Sequence, residues 1–388
     1  MRAAILAFAT SRMALGVACY ICLQRFPAHT ILDWQTDLFP GHDWINGWFR
    51  WDSFWYLAIA DRSTAVVPAG YSAANFFPLY SWVSLLVSVP LRIWLAAPQA
   101  FGLAALLVSN VAFLVALLGV HRLASSLAGE RTADRAMWLI AWFPFSFFLS
   151  AAYSDALYFC LAVWALVFAR DRRWLPASAL AAAAAMTRIP GALVAAAIVL
   201  EYVRQEGVNT RSLTRAIAPG AILAIAPLVM AGYFWSQFGH PLAFLQARQA
   251  GWGRATGPVA AMARDVKEFF AGPALDCGSI RECFAGFDLT RHLLGAWYVS
   301  LIPLSLGLVL GAAPLLGASL TFWVVASVLM AMTNGLDGTG RFTVVLFPVF
   351  IAAAARLHSM RAVAVVCACF APFLMLFLFQ FARWRPVL

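Results

Sequence analysis

The sequence predicts an all-α polytopic membrane protein, on three observations. Of its 388 residues, 63% are hydrophobic and 11% charged, where soluble domains carry roughly 25% charged residues. The mean hydropathy is +0.81. Apolar stretches long enough to cross a bilayer recur along the chain, and arginines gather in the connections between them.

In order, the spans read as residues 3–24, 101–121, 137–151, 154–170, 174–187, 190–203, 214–236, 292–310, 314–332, 342–356 and 362–381, about eleven crossings by the helix length a bilayer requires. The first starts at a basic residue and stays apolar for about 20 residues, to Gln24. No small-x-small cleavage site follows it, so it is read as a retained anchor. Residues 76–89 are apolar but only about 14 residues long before Pro90, a length that suits an interfacial helix.

Charge decides how that stretch is placed. With 76–89 on the surface, the basic connections 122–135, 170–173, 204–215 and 356–361 all share the N-terminal side, read as cytoplasmic. If it crossed, the first three would be exported or the N-terminus would flip. Arg383 and Arg385 fall on the outer side and are the exception. Two long outer segments follow, 25–100 and 237–291, too long and too aromatic to be simple connectors. No repeat or low-complexity linker divides the chain, so residues 1–388 read as one transmembrane domain with its active face outside.

These loops account for the net charge of +10, and no basic, aromatic-interleaved soluble face is present to bind nucleic acid. Of 27 basic residues only Lys267 is a lysine, a bias that points to a GC-rich bacterial genome and hence to the inner membrane. Cys19, Cys22, Cys160, Cys367 and Cys369 lie in apolar stretches, where cysteine behaves as a small hydrophobe. Cys277 and Cys283 stand in a polar loop, at a separation that suits a disulfide if the loop meets an oxidising compartment. A metal site needs more ligands nearby than the sequence offers.

Five charges sit against the apolar grain: Arg12, Asp52, Asp155, Arg188 and Arg341. A charge at mid-bilayer costs about 2.5–3.5 kcal/mol, so such residues pair or line a polar cavity. All but Arg12 converge on the outer face by this topology. Asp52 lies in the aromatic run Trp48-Phe49-Arg50-Trp51-Asp52-Ser53-Phe54-Trp55-Tyr56 and is either an interfacial carboxylate or a general base. A four-residue offset puts Tyr56 on its face. In Tyr153-Ser154-Asp155, Ser154 or Asp155 can cap the next helix, or Asp155 can face Asp52, orienting a hydroxyl or holding an arginine. Arg188, at the break Thr187-Arg188-Ile189-Pro190-Gly191, and Arg341, after a glycine-rich turn, either snorkel to headgroups or clamp a phosphate. That turn lacks the lysine and hydroxyl residue of a P-loop.

Arg50-Trp51-Asp52 with Tyr56 and Ile59-Ala60, followed by Asn75-Phe76-Phe77-Pro78-Leu79-Tyr80, resembles the first-loop signature of PIG-V-type mannosyltransferases, which are GT-C glycosyltransferases. Ser150 to Leu157, Thr187-Arg188 with Gly191, Phe238 to Phe244 with Gln246 and Trp252, and Gly340-Arg341-Phe342 extend the resemblance in order along most of the chain. Ser154-Asp155 stands where many relatives have Ser-Glu.

The resemblance implies a GT-C fold of about eleven helices with interfacial helices in its first outer loop. It also implies transfer of a sugar, typically mannose, from a polyprenyl-phosphate donor to an extracytoplasmic glycan, glycolipid or protein, with inversion. Asp52 maps to the catalytic aspartate; Tyr56, Tyr153 and Asp155 would orient donor or acceptor, and Arg341 and Arg188 would hold the phosphate. Trp51, Trp55, Phe77, Tyr80, His240, Gln246 and Trp252 would contact sugar or lipid. No metal or other cofactor is expected, since the leaving group is already a phosphate. The different-class alternative is a transporter or flippase of a lipid-linked sugar, for which inverted repeats and midplane helix breaks would be the signature.

Overall fold

The computed structural model describes residues 1–26, 37–62, 72–247, 250, 262–266, 289–333, 335–336, 338–385 and 387. Among them the architecture is helical. The main helices are α1 (Arg2–Arg25), α2 (Ser53–Ala60), α3 (Leu79–Ser88), α4 (Ala97–Ala128), α5 (Glu130–Trp142), α6 (Asp155–Arg170), α7 (Trp174–Thr187), α8 (Gly191–Glu206) and α9 (Thr210–Phe238). After the second long loop come α10 (Leu289–Leu310), α11 (Ala318–Met332), α12 (Thr339–Val344), α13 (Phe347–Arg356) and α14 (Met360–Ala382).

Among the described residues, five helices are long and apolar enough to cross a membrane: Arg2–Arg25, Ala97–Ala128, Thr210–Phe238, His292–Leu310 and Met360–Ala382. The chain is an integral membrane protein. Several other expected spans are shorter helices, and two are interrupted. The stretch 137–151 stops being α-helical at Trp142 and continues through a short 3-10 turn, Ser146–Leu149. The stretch 342–356 is divided between α12 and α13, with Pro348 in the first turn of α13, where its missing N–H costs nothing. The interfacial candidate 76–89 forms α3, whose ten residues rise about 15 Å, half the hydrocarbon thickness.

Basic residues mark one end of the bundle. There Arg122 pairs with Asp171 and Arg172 with Glu206, Arg170 donates to the Leu316 carbonyl, and Arg135 to that of Leu357. The connections α4–α5, α6–α7, α8–α9 and α13–α14 therefore share one end. The breaks Phe143–Ser154 and Thr187–Gly191 lie at the other, which is the segregation the charge pattern predicted.

The Phe143–Ser154 segment is almost wholly buried, and its backbone needs partners that a regular helix would have supplied internally. Arg12 of α1 supplies several: it donates to the carbonyls of Ala141 and Ser146, both at 2.9 Å, and to the hydroxyls of Ser146 and Ser150. From α4, Asn110 donates to the Ser150 carbonyl and Ser109 to that of Tyr153. The charge that seemed out of place in the first span is thus a brace for this irregular stretch.

Thr187–Gly191 reverses the chain between α7 and α8. A Cβ at Gly191 would lie 2.2–2.3 Å from backbone atoms of Ala184 and Ala185, so no larger residue fits this close turn. If Arg12 braces the buried segment, Arg12→Met takes the donor from the Ser146 carbonyl, while Ala141 keeps the Ser146 hydroxyl, and lowers stability by on the order of 1–3 kcal/mol. Thermal unfolding in detergent measures this, and an unchanged midpoint would refute the bracing role.

Candidate active site

Asp52 is delivered by an unusual backbone. Trp51 has φ +51°, a left-handed conformation that is rare for a bulky residue. Two hydrogen bonds hold this turn to the buried segment: Ala152 N donates to the Trp48 carbonyl at 3.0 Å, and Asp52 N donates to the Tyr153 hydroxyl at 3.2 Å. Arg50 fastens the same turn to the end of α14. It is 1% exposed, donates through Nε to the Ala382 carbonyl, pairs with Asp37 at 2.6 Å and lies over the Trp384 ring.

Although Asp52 occupies the position before α2, its carboxylate does not cap that helix. It turns inward and accepts from Arg341 Nη1 at 2.5 Å, with its side chain 13% exposed. The interfacial-carboxylate alternative is therefore not what the structure shows. The capping alternative for Ser154 and Asp155 is also unrealised, since neither side chain caps α6. Ser154 shares a 2.7 Å hydrogen bond with the Tyr56 hydroxyl, and Asp155 holds two arginines.

Those two arginines complete the site. Arg341 Nε donates to Asp155 Oδ2 at 2.8 Å, and Arg188 Nη1 pairs closely with Asp155 Oδ1. The Arg341 guanidinium also lies over the Tyr153 ring, 4.4 Å from its centroid. Its approach depends on Gly340, where a Cβ would meet the Phe145 ring at 2.4–2.5 Å; glycine lets α12 lie flat on that ring. Asp52, Asp155, Arg188 and Arg341 sum to zero formal charge. Arg341 Nη2 and Arg188 Nε and Nη2 have no hydrogen-bond partner among the described residues.

A buried ion network is weak evidence for stability, because apolar replacements of similar shape are often as stable or more so. Its presence in an apolar bundle makes it a candidate functional site. The site offers a carboxylate that can accept a proton and guanidinium edges that can receive an anion. Burial raises the Tyr56 phenol above its ordinary value, with Arg341 and Arg188 acting in the opposite direction, so this hydroxyl stays protonated at neutral pH.

The remaining sequence candidates separate. Tyr56 joins the cluster through Ser154 rather than by touching Asp52, and its ring packs against Tyr80 and Phe76. Tyr80 is fully buried and spends its hydroxyl on the Ala105 carbonyl and Ser109, so it braces α3 on α4 instead of presenting itself to a sugar. Trp55 is stacked on Phe76, and Phe77 packs against Phe234 and Phe244 in a separate apolar cluster. Trp51 stands beside Asp52 with its ring against Trp384.

His240 and Gln246 are exposed, and neither bonds to the four charged residues among those described. Trp252, Cys277 and Cys283 lie outside the described residues. Sequence reasoning missed the bracing roles of Ser109, Asn110 and Arg50; the pair Ser109-Asn110 and an arginine two residues before Asp52 were the available signals. Among the described residues one group, His121, Glu130 and Asp134, has ligand atoms close enough for a metal ion, but it lies at the arginine-rich end away from Asp52.

A family model described as mannosyltransferase (PIG-V) matches residues 41–215. That stretch contains Asp52, Tyr56, Tyr153, Asp155 and Arg188, while Arg341 lies beyond it. Among solved structures, ArnT from Cupriavidus metallidurans, bound to undecaprenyl phosphate, is similar at 14% identity and a TM-score of 0.54, over 94% of this chain and 63% of that one. The archaeal oligosaccharyltransferase AglB from Archaeoglobus fulgidus, in complex with an inhibitory peptide and a dolichol-phosphate, aligns at 13% identity and a TM-score of 0.49, over 97% of this chain and 56% of that one. The chain thus spans less than two thirds of the length of either. No curated protein matches it significantly. The chain is thus similar to PIG-V mannosyltransferases over residues 41–215 and resembles ArnT in fold.

Proposed function

We propose that the chain is a membrane glycosyltransferase that moves a sugar, mannose, from a polyprenyl-phosphate donor to a hydroxyl of an extracytoplasmic glycan, glycolipid or protein, with inversion. The observation that carries this reading is Arg341 shared between Asp52 and Asp155, with Arg188 on the far side of Asp155. The family description supplies the sugar class. The fold-sharing ArnT is described with undecaprenyl phosphate, a lipid phosphate of the donor's kind. The arginine-rich end is assigned to the cytoplasm of a bacterial inner membrane, leaving the carboxylate end outside.

In this reading the acceptor oxygen attacks C1 of the sugar from the face opposite the phosphate. Its proton passes to Asp52, the C1–O bond to phosphate breaks, and the electron pair leaves with the lipid phosphate. One base suffices for a single displacement. The free edges of Arg341 and Arg188 receive the charge that develops on the phosphate oxygens, a fixed electrostatic contribution that requires no metal. Asp155 holds both guanidinium groups at the required spacing. As phosphate takes up Arg341, the bond from that arginine to Asp52 gives way.

Purified protein supplied with a polyprenyl-phosphate-linked mannose and an acceptor tests the reading. Asp52→Asn inserts and folds normally but loses transfer by about 10²–10⁴-fold, the usual contribution of a general base. A fully active Asp52→Asn enzyme would remove Asp52 from that role. Arg341→Lys keeps one charge but loses the planar fork, so the donor KM rises while the acceptor KM changes little. Equal effects on both substrates would count against a phosphate role. The product's anomeric configuration, read by NMR, should be opposite to the donor's; retention would rule out a single displacement.

A further inference from the structure

The segment between α9 and α10 belongs to the second long loop, and its residues 262–266 form a helical turn beside the glycine-rich turn that precedes Arg341. Asp265 is the point of contact. It is 2% exposed, and its Oδ2 accepts from Leu336 N at 2.7 Å. Its other oxygen, Oδ1, accepts from the Arg264 guanidinium at 3.2 Å. Leu336 is fully buried, so its N–H has no access to water as a substitute partner.

Gly335 shows how closely the two segments meet. Its φ is +86°, and a Cβ built there would lie 1.9 Å from Asp265 Oδ2. Glycine is required twice over, for the left-handed backbone and for the space the carboxylate occupies. From Gly338, itself at φ +75°, α12 begins, and Arg341 stands in its first turn. One link from Asp265 toward the guanidinium therefore runs through the Leu336 amide and the left-handed Gly335 and Gly338.

We propose that Asp265 is a positioning residue: through the Leu336 amide it fixes the turn from which Arg341 projects, and the second long loop thereby sets the anion-facing geometry of the site. This rests on the reading of Arg341 as a phosphate-binding group. A carboxylate suits the task because a charged acceptor makes a stronger bond to a backbone N–H than a neutral one, and Arg264 neutralises the charge that is left over. The turn's glycines leave it free to adopt other conformations, so an external tie is needed to select one.

Two variants and two readouts test this on the full-length protein in detergent. Asp265→Ala removes the acceptor; Asp265→Asn keeps a carbonyl oxygen of the same reach. Hydrogen exchange at the Leu336 amide reports the tie directly, and affinity for undecaprenyl phosphate without a sugar reports its effect on Arg341. The expected result is faster exchange at Leu336 in Asp265→Ala, with lipid-phosphate affinity weakened about tenfold, and recovery of both in Asp265→Asn to within about threefold of wild type. Unchanged exchange or unchanged affinity in Asp265→Ala overturns the positioning role, as does an Asp265→Asn variant no better than alanine. A wild-type protein that fails to bind the lipid phosphate overturns the phosphate role of Arg341 and the proposal with it, whereas binding that Asp265→Ala leaves intact overturns the proposal alone.

Discussion

One guanidinium shared by two carboxylates organises the outer end of this bundle. Asp52 arrives from the first loop, Asp155 from the start of α6 and Arg341 from α12, so three distant parts of the chain meet at a single side chain. Each arrival has a device that makes it accurate: the left-handed Trp51, the buried break before α6, and the glycine turn before α12. Arg188 extends the network from the reversal between α7 and α8. Charges removed from water this far need neighbours held in register, and because Arg341 and Asp155 each have two partners, the network keeps both paired when one outer member is lost.

The devices share a physical logic. Irregular backbone is tolerated inside an apolar bundle only where protein groups satisfy its donors and acceptors. Arg12, Ser109 and Asn110 do this for Phe143–Ser154, and Arg50 ties the Asp52 turn to the carbonyl end of α14. The site is therefore built on two layers of polar contacts, an inner one of four charges and an outer one that keeps their backbones in place. Aromatic rings fill the space between, with Tyr153 serving both layers: its ring lies under Arg341 and its hydroxyl accepts from Asp52 N.

Much of this was legible in the chain. The hydropathy pattern gave the class, and α1, α6, α7 and α8 begin and end close to where the apolar runs do. The charges set against the apolar grain, Asp52, Asp155, Arg188 and Arg341, are the ones that meet. What was misread was local. The resemblance makes Tyr80 a contact for sugar or lipid; in the structure its hydroxyl bonds to the Ala105 carbonyl and Ser109 of α4. The stretch 137–151 looked like a continuous span because a buried irregular segment and a buried helix are equally apolar, and periodicity cannot separate them.

The sequence by itself determined the membrane class, the separation of arginine-rich and carboxylate-bearing ends, and which charges were too costly to be incidental, because each follows from composition and spacing along one dimension. Only the tertiary structure decided how those charges pair: that Asp155 holds two arginines instead of capping its helix, that Arg12 serves a buried backbone, and that Asp265 reaches the turn before Arg341. Pairing depends on distances of a few ångströms between residues far apart in the chain. Those distances are fixed by helix packing and by close turns such as Gly191 and Gly340, where the absence of a single methyl group permits the approach.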